Sequence, residues 1–443
     1  MTEKRFRRFF RLFLYKGERP ERQNMIWNML GSFVYAAASM VLSFLVMRIA
    51  GADASGVFAV GFSTVGQQMF TVAYYGLRPF QATDAGKESG GYAFGEYLRH
   101  RKFTSAAALA MAAGFSAWMV FSGAYGGTKA MAVFWLAVYK IIDGYADVYE
   151  SEFQRRGSLY LTGKANTFRT ALSVMVFFLA LLWKKDLLLA CVSAVLAQVL
   201  GFFLFDFGVI RELYGVDWSV RRGKIWQLSV QGGLLFISVF LDFYIFSSAK
   251  YAIDSQLNDA ASGYFNLLFM PTSVIYLVAN FVIRPFLTKM TACWETGDRR
   301  AFLSLMRKIG GIIAGLTVLA VGGAWFIGPF VLSLMEMLLG TAFRGTLSLY
   351  RGSFTGIVFG GGIYAFANLC YYSLVVMRRQ KRIFAVYFLT AGIALFAAPA
   401  LVARFAIPGA AVVYGGLMGM ELLGFGGCVA WELCRKPDNK PMF

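Results

Sequence analysis

The sequence predicts an all-α polytopic membrane protein. Twelve transmembrane helices are expected in two pseudo-symmetric six-helix lobes around a central cavity, with both termini cytoplasmic. Three observations predict this. Of 443 residues, 58% are hydrophobic and only 15% charged, where a soluble domain carries about 25% charged residues. Apolar runs of roughly 20 residues recur along the whole length, each long enough to cross about 30 Å of hydrocarbon. A spanning β-barrel would show short alternating segments instead. Finally, the chain repeats itself: Ala54-Ser55-Gly56-Val57-Phe58 returns as Ala261-Ser262-Gly263-Tyr264-Phe265, 207 residues later, and Arg78-Pro79-Phe80 as Arg284-Pro285-Phe286, 206 residues later.

Residues 1–24 precede the spans as a basic cytoplasmic segment. Arg5, Arg7, Arg8 and Arg11 alternate with Phe6, Phe9, Phe10 and Phe13 at helical spacing, which fits an amphipathic helix on the inner membrane surface and equally an ordinary topogenic tail. The segment is too polar for a cleavable signal peptide. The spans are predicted at 25–47, 57–79, 103–122, 128–150, 164–183, 187–207, 226–248, 262–284, 308–328, 354–377, 383–403 and 408–433. With the termini on one side, the segments there hold about 33 of the 43 Lys and Arg, counting residues at span ends. The other side holds about 8, and Lys140 and Arg169 fall inside spans. The positive-inside rule makes the richer side cytoplasmic. The net charge of +19 is then a topological signal with attraction for anionic lipid, roughly 1 kcal/mol per residue, and implies no nucleic acid.

The spans divide into an N-lobe over 25–207, a charged linker over 208–225 and a C-lobe over 226–433, followed by a tail over 434–443. The linker runs from Arg211 to Lys224 through Gly215 and Gly223. Both repeated segments fall at matching points, the first entering spans 2 and 8 from outside and the second ending those spans inside. Lobes of six spans share an orientation, so the axis relating them runs along the membrane normal. Two such halves enclosing a site are a transporter architecture.

Charges inside spans mark where the chemistry lies, because one near the bilayer centre costs about 2.5–3.5 kcal/mol. Span 4 is the richest: Lys140, Asp143 and Asp147 fall at i, i+3 and i+7, on one helical face. Lys140 lies roughly 15 Å deep, about ten residues from the cytoplasmic end. Arg169 on span 5 is close in depth to Asp147 and is expected to pair with it or with Asp143, leaving Lys140 less compensated. A fully neutralised cluster pinning spans 4 and 5 is the other outcome. Arg78 and Arg284 form a candidate cationic clamp, arginine's planar fork suiting phosphate, or else snorkel to lipid headgroups. Gln67, Gln68 and Asn280 would add hydrogen bonds to a wet cavity. Asp242 on span 7 and Glu421 in span 12 are candidates for coupling to a proton or cation, or for counter-ions. Glycine runs such as Gly360-Gly361-Gly362 and Gly415-Gly416 permit close or sliding helix contacts.

Other chemistries lack their residues. Cys191, Cys293, Cys370, Cys428 and Cys434 form no C-x-x-C pair and read as apolar fillers. His100, the single histidine, reads as an inert residue of a basic loop, so no metal site is expected. There is no P-loop or nucleotide fingerprint and no cofactor is implied. A glycosyl-transfer enzyme would need a sizeable outer loop, whereas the longest outer segment, 329–353, holds only Glu336, Arg344 and Arg351 as charges and is apolar enough from Pro329 to Leu339 to fold back into the outer leaflet. No catalytic residue is therefore assigned.

Two stretches carry a family resemblance. Gly76-Leu77-Arg78-Pro79-Phe80-Gln81-Ala82-Thr83-Asp84, followed by Tyr97-Leu98-Arg99, is similar to the end of the second span in Wzx-type oligosaccharide flippases. Lys140-Ile141-Ile142-Asp143-Gly144-Tyr145-Ala146-Asp147, continuing to Gln154-Arg155-Arg156-Gly157, resembles their fourth span. These belong to the multidrug/oligosaccharidyl-lipid/polysaccharide (MATE-like) exporter superfamily, which the layout of the whole chain also resembles. The resemblance implies movement of an undecaprenyl-pyrophosphate-linked oligosaccharide across a bacterial cytoplasmic membrane by alternating access. It implies a cationic cavity in which Lys140, Arg78 and Arg284 bind the anion, with Gln67 and Asp143 beside them. Asp147, Arg169, Asp242 and Glu421 would be structural or coupling charges. Membrane lipids and other polysaccharide-assembly proteins are the further partners, and a monomer is expected because the lobes already supply paired halves. The alternative is a cation-coupled drug or small-molecule exporter of the same fold, against which span 1 lacks an acid. Lipid II flippases of the superfamily carry two further spans, which the sequence does not show.

Overall fold

The structure, a computed structural model, describes residues 13–15, 20–84, 91–221 and 223–434. All regular elements among them are helical. The chain divides into two compact units, Met1–Phe240 and Leu241–Phe443.

Unit 1 begins with α1 (Pro20–Phe58), broken at Gly51, whose φ of 91° is open to glycine and strained for other residues. A π-helical stretch, Ala59–Val65, leads into α2 (Gly66–Tyr74) and the short α3 (Arg78–Thr83). Then follow α4 (Phe94–Phe121), α5 (Gly127–Arg155), α6 (Leu159–Lys184) and α7 (Leu187–Gly201). A second π stretch, Phe202–Phe207, and α8 (Gly208–Arg211) extend α7. The units divide within α9 (Lys224–Gln256). Unit 2 continues with α10 (Asp259–Ile283), a turn at Arg284–Phe286, α11 (Leu287–Glu295), α12 (Arg299–Phe326), α13 (Gly328–Leu339), α14 (Arg351–Val376) and α15 (Gln380–Cys434). The last is broken at Ala406, φ 53° and ψ −136°.

Nine helical stretches of the described residues are long and apolar enough to cross a membrane. Polarity is arranged inside out. Phe121, Trp183, Phe326, Phe396 and Leu423 point outward, while Arg101, Lys140, Asp147, Arg169 and Asp206 are buried. In water this would be costly twice over, through exposed apolar area and through desolvated charge. Against lipid it is the favoured arrangement, so the chain is a multi-pass membrane protein.

Several boundaries differ from expectation. Helix α4 starts at Phe94, nine residues before the predicted span, because Glu96 closes its first turn by accepting from Ala93 N at 2.9 Å. His100 therefore lies in a helix and not in a loop, buried with its ring 4.9 Å from that of Tyr75. The predicted linker packs on unit 1: Gly95 N donates to Asp217 O at 3.0 Å, and Arg221 reaches Glu96 at 2.8 Å through Nε and 2.9 Å through Nη2. Trp218 stands edge-on to Phe94 at 5.0 Å. In unit 2 the apolar stretch after Pro329 is α13. Beyond it the Glu336 carboxylate accepts from Gly345 N at 2.8 Å and Ser348 N at 2.6 Å, folding the segment locally.

Of the basic N-terminal segment, Arg5, Arg7, Arg8 and Arg11 lie outside the described residues. Phe13 stacks near Phe205, and Lys164 Nζ donates to the carbonyls of Phe13 and Tyr15 at 2.8 and 3.2 Å.

Candidate functional site

The polar stripe of α5 organises unit 1. Lys140, Asp143, Asp147, Glu150 and Gln154 recur every three or four residues, with Ser151 one turn after Asp147, so they share one face. All but Gln154 are buried. Close helix approach makes this possible. A Cβ at Gly66 would lie 3.0 Å from Lys140 Cγ, and one at Gly201 would lie 2.9 Å from Arg169 Cγ. Glycine at these two positions leaves room for the long basic stems.

Around the stripe the charges pair in a chain. Arg101, reaching in from α4, bonds Asp147 at 3.1 Å. Asp147 also takes Arg78 at 2.9 Å, and Arg78 lies 3.6 Å from Glu150. Glu150 takes Arg169 at 3.0 Å, and Arg169 bonds Asp206 on the second π stretch at 2.5 Å. Arg169 approaches Asp143 at 3.5 Å. Asp143 also accepts from Gln198 Nε2 and, at 3.3 Å, from the Tyr35 hydroxyl.

Lys140 stands apart from these pairs. Only 2% of it is exposed. Its Nζ donates to Tyr35 Oη at 2.8 Å and lies 3.8 Å from the Phe62 ring centroid and 4.8 Å from that of Tyr35. Among the described residues no carboxylate lies within ion-pair range of it. Tyr35 links it to Asp143, since the hydroxyl accepts from the ammonium and donates to the carboxylate. The cluster holds four cations (Arg78, Arg101, Lys140, Arg169) and four anions (Asp143, Asp147, Glu150, Asp206). It is balanced in sum and not broadly cationic, so positive character is local to Lys140.

Unit 2 holds a second polar group. Asp242 on α9 accepts from the Tyr364 hydroxyl at 3.2 Å. Glu421 on α15 is fully buried, and neither of its carboxylate oxygens has a hydrogen-bond partner among the described residues, nor does the Tyr414 hydroxyl. Asn280 accepts from Tyr372 Oη at 2.9 Å.

The predicted residues thus separate. Lys140, Asp143, Asp147, Arg169 and Arg78 come together in unit 1. Arg169 uses Asp206 and Glu150 more closely than the expected Asp143, and does not pair with Asp147. Arg78 is engaged with Asp147, Glu150 and Gln154 and is about a quarter exposed. Gln67 is half-buried on α2, while its neighbour Gln68 is buried and donates to Phe240 O at 3.1 Å. Asp242 and Glu421 lie in unit 2. Arg284 opens the turn after α10, as Arg78 opens α3, but its side chain is outside the described residues. Sequence reasoning missed Tyr35, Arg101, Glu150, Gln198 and Asp206. The signal for Glu150 was present, one helical turn beyond Asp147. Among the described residues, no group of three or more His, Cys, Asp or Glu is arranged to hold a metal ion.

No protein-family model matches the chain, and no curated protein matches it either. Solved membrane transporters match it nearly end to end. One is an inward-facing multidrug resistance MATE family transporter of the MOP superfamily, at TM-score 0.71 and 12% identity, covering 92% of this chain and 96% of that one. Another is the lipid II flippase MurJ in an inward closed conformation, at TM-score 0.66 and 10% identity, covering 91% and 87%. A third is a MOP superfamily transporter from Pyrococcus furiosus, described as having a binding pocket of reverse polarity that suggests a different function, at TM-score 0.54 and 14% identity, covering 92% and 93%. The chain has the MATE-like transporter fold.

Proposed function

We propose that this protein is a Wzx-type flippase. It moves an undecaprenyl-pyrophosphate-linked oligosaccharide from the inner to the outer leaflet of a bacterial cytoplasmic membrane by alternating access, for capsule or surface polysaccharide. The observation that carries this is Lys140. A membrane-buried ammonium costs several kcal/mol to desolvate, and a hydroxyl and two ring faces return only part of it. Every arginine of the same cluster is ion-paired directly with carboxylates, whereas Lys140 reaches Asp143 only through Tyr35. Its ammonium therefore keeps donors available for an anionic headgroup.

In this scheme the breaks at Gly51 and Ala406 each divide a long helical stretch into two crossings. Helix α5 adds one more, with its charges facing inward, giving twelve with both termini cytoplasmic. The lobes are 25–207 and 226–433, joined by 208–225. Arg284 assists Lys140 in binding the anion, and Arg78 contributes the exposed part of its guanidinium while holding Asp147. The protein works as a monomer alongside other polysaccharide-assembly proteins. The lipid II flippase that shares this fold supports the scheme.

A second mode, a cation-coupled exporter of small molecules, is favoured by half-buried Asp242, which accepts from Tyr364, and fully buried Glu421, neither with a cation beside it among the described residues, and by the multidrug transporters that share the fold. Proteoliposomes decide between them. A fluorescent undecaprenyl-pyrophosphate oligosaccharide is expected to reach the far leaflet with wild type, to stop with Lys140→Ala and to move partly with Lys140→Arg. Unchanged movement in Lys140→Ala would refute the site. Failure of wild type to move it, with cationic dye uptake driven by a proton or sodium gradient, would establish the exporter.

A further inference from the structure

The 207-residue offset that carries Phe58 onto Phe265 also carries Phe62 onto Phe269. In each unit the two rings face each other one helical turn apart, with centroids 5.0 Å apart for Phe58 and Phe62 and 5.4 Å for Phe265 and Phe269. The second ring also stands beside a feature that interrupts regular α-helical hydrogen bonding. Phe62 lies within the π stretch Ala59–Val65, and Phe269 two residues before Pro271 inside α10. Such distortions free backbone groups and collect at functional positions.

Each of these rings carries an ammonium. Lys140 Nζ lies 3.8 Å from the Phe62 centroid, and Lys250 Nζ lies 4.6 Å from that of Phe269. Lys250 falls in what the sequence suggested was an outer loop, but α9 continues to Gln256 and makes it a residue of a membrane helix. It is half-buried, and among the described residues it has neither a carboxylate in ion-pair range nor a hydrogen-bond acceptor. The two lysines come from helices that do not correspond, α5 in unit 1 and α9 in unit 2. The repeat therefore accounts for the ring and not for the lysine, and a cation has been set against the ring twice, independently. A ring face returns about 0.5–2 kcal/mol to an ammonium, less than its removal from water costs. A cation on a membrane helix with no such partner is a candidate for contact with a substrate or an ion path.

We propose that Lys250 is a second anion-binding group. In unit 2 it takes a phosphate oxygen of an amphipathic pyrophosphate, as Lys140 does in unit 1. The inference rests on the flippase function proposed above. It extends that function by giving each unit its own ammonium, so that the anion has a cation to bind in either half. Lysine suits this task, being a compact charge with three rotatable donors that accepts a phosphate in several orientations.

The test is binding of farnesyl pyrophosphate to the purified full chain in nanodiscs, with farnesol as the uncharged control. Wild type is expected to prefer the pyrophosphate, and Lys250→Met to weaken it ten- to a hundredfold, the value of one charge-assisted hydrogen bond. Lys250→Arg should restore most of the affinity, and farnesol binding should not change. Farnesyl pyrophosphate should also protect Lys250 of the wild type from amine acylation, a readout that needs no variant to fold. Wild-type affinity in Lys250→Met, or acylation of Lys250 unaffected by the pyrophosphate, would overturn the inference. If Lys140→Met still weakened binding in that case, the flippase function would stand. A wild type that did not distinguish pyrophosphate from alcohol would instead remove the function on which both lysines depend.

Discussion

Removing the charge of Lys140 and removing that of Arg169 should differ sharply in their effect on stability. Arg169→Met takes the guanidinium from Asp206 at 2.5 Å and Glu150 at 3.0 Å, and from its 3.5 Å approach to Asp143. The three carboxylate side chains are 0%, 6% and 4% exposed, and of them only Glu150 keeps another cation, Arg78 at 3.6 Å. Breaking a buried pair from one side costs about 3–5 kcal/mol. Lys140→Met loses one hydrogen bond to Tyr35, about 1.5–3 kcal/mol for a charged donor, and a cation–ring contact of about 0.5–2 kcal/mol. It also removes the several kcal/mol that a buried ammonium costs, orphans no carboxylate, and leaves a stem of similar shape beside Gly66. The sum is near zero or favourable. The assay is thermal unfolding in detergent, followed by a thiol-reactive dye in a background where the less buried Cys293, Cys370, Cys428 and Cys434 are serine, so that the dye labels Cys191, buried in α7. Arg169→Met should unfold well below wild type, while Lys140→Met should unfold at or above it and still fail to transport. This is the stability–activity trade-off expected of a functional group. If Lys140→Met loses as much stability as Arg169→Met, Lys140 is a structural residue and the assignment of the anion site falls.

Two further outcomes follow from the packing. Gly201→Ala would set a Cβ 2.9 Å from Cγ and 3.3 Å from Cα of Arg169, so the same dye assay should register about 1–3 kcal/mol of overpacking; an unchanged midpoint would mean that α6 and α7 separate freely. Glu96→Ala removes the carboxylate that holds Arg221, so trypsin cleavage after Arg221 should accelerate at least tenfold, and an unchanged rate would show that the 208–221 segment is held to unit 1 by other contacts.

What the sequence made legible was the axial position of each group, and what it hid was the azimuth of neighbouring helices. Lys140, Asp143 and Asp147 declare a shared face because spacing along one helix is a local property. Which cation each acid meets depends on how far α4, α6 and α7 rotate and approach, and that is decided by packing at positions such as Gly66 and Gly201. Arg101 shows the limit clearly. It looked like one more basic residue of a cytoplasmic loop, yet Ala93 and Glu96 start a helix ahead of it, and the buried guanidinium spans from Ala73 O at 3.1 Å to Asp147. Asp206 was obscured in a similar way. A lone acid at the end of an apolar run reads as the edge of the membrane, while the π stretch around it turns the side chain onto Arg169.

The same limit explains why a cationic cavity was too broad an expectation. Counting charges on span 4 and its neighbours weights Arg78, Lys140 and Arg169 alike. Pairing does not: three arginines face four acids closely enough to neutralise one another, and a carboxylate–guanidinium network that is already satisfied has little affinity to offer a ligand. A transported anion has to leave again, so a site built from every available arginine would bind too well to release. One ammonium per unit, held by aromatic faces rather than by acids, is a weaker and more exchangeable partner. In the proposed scheme, the lack of a direct ion pair among the described residues leaves each ammonium available to an anion. In the proposed flippase the paired arginines would have a different task, which is to hold α5 against α4, α6 and α7 so that Lys140 stays fixed against Phe62.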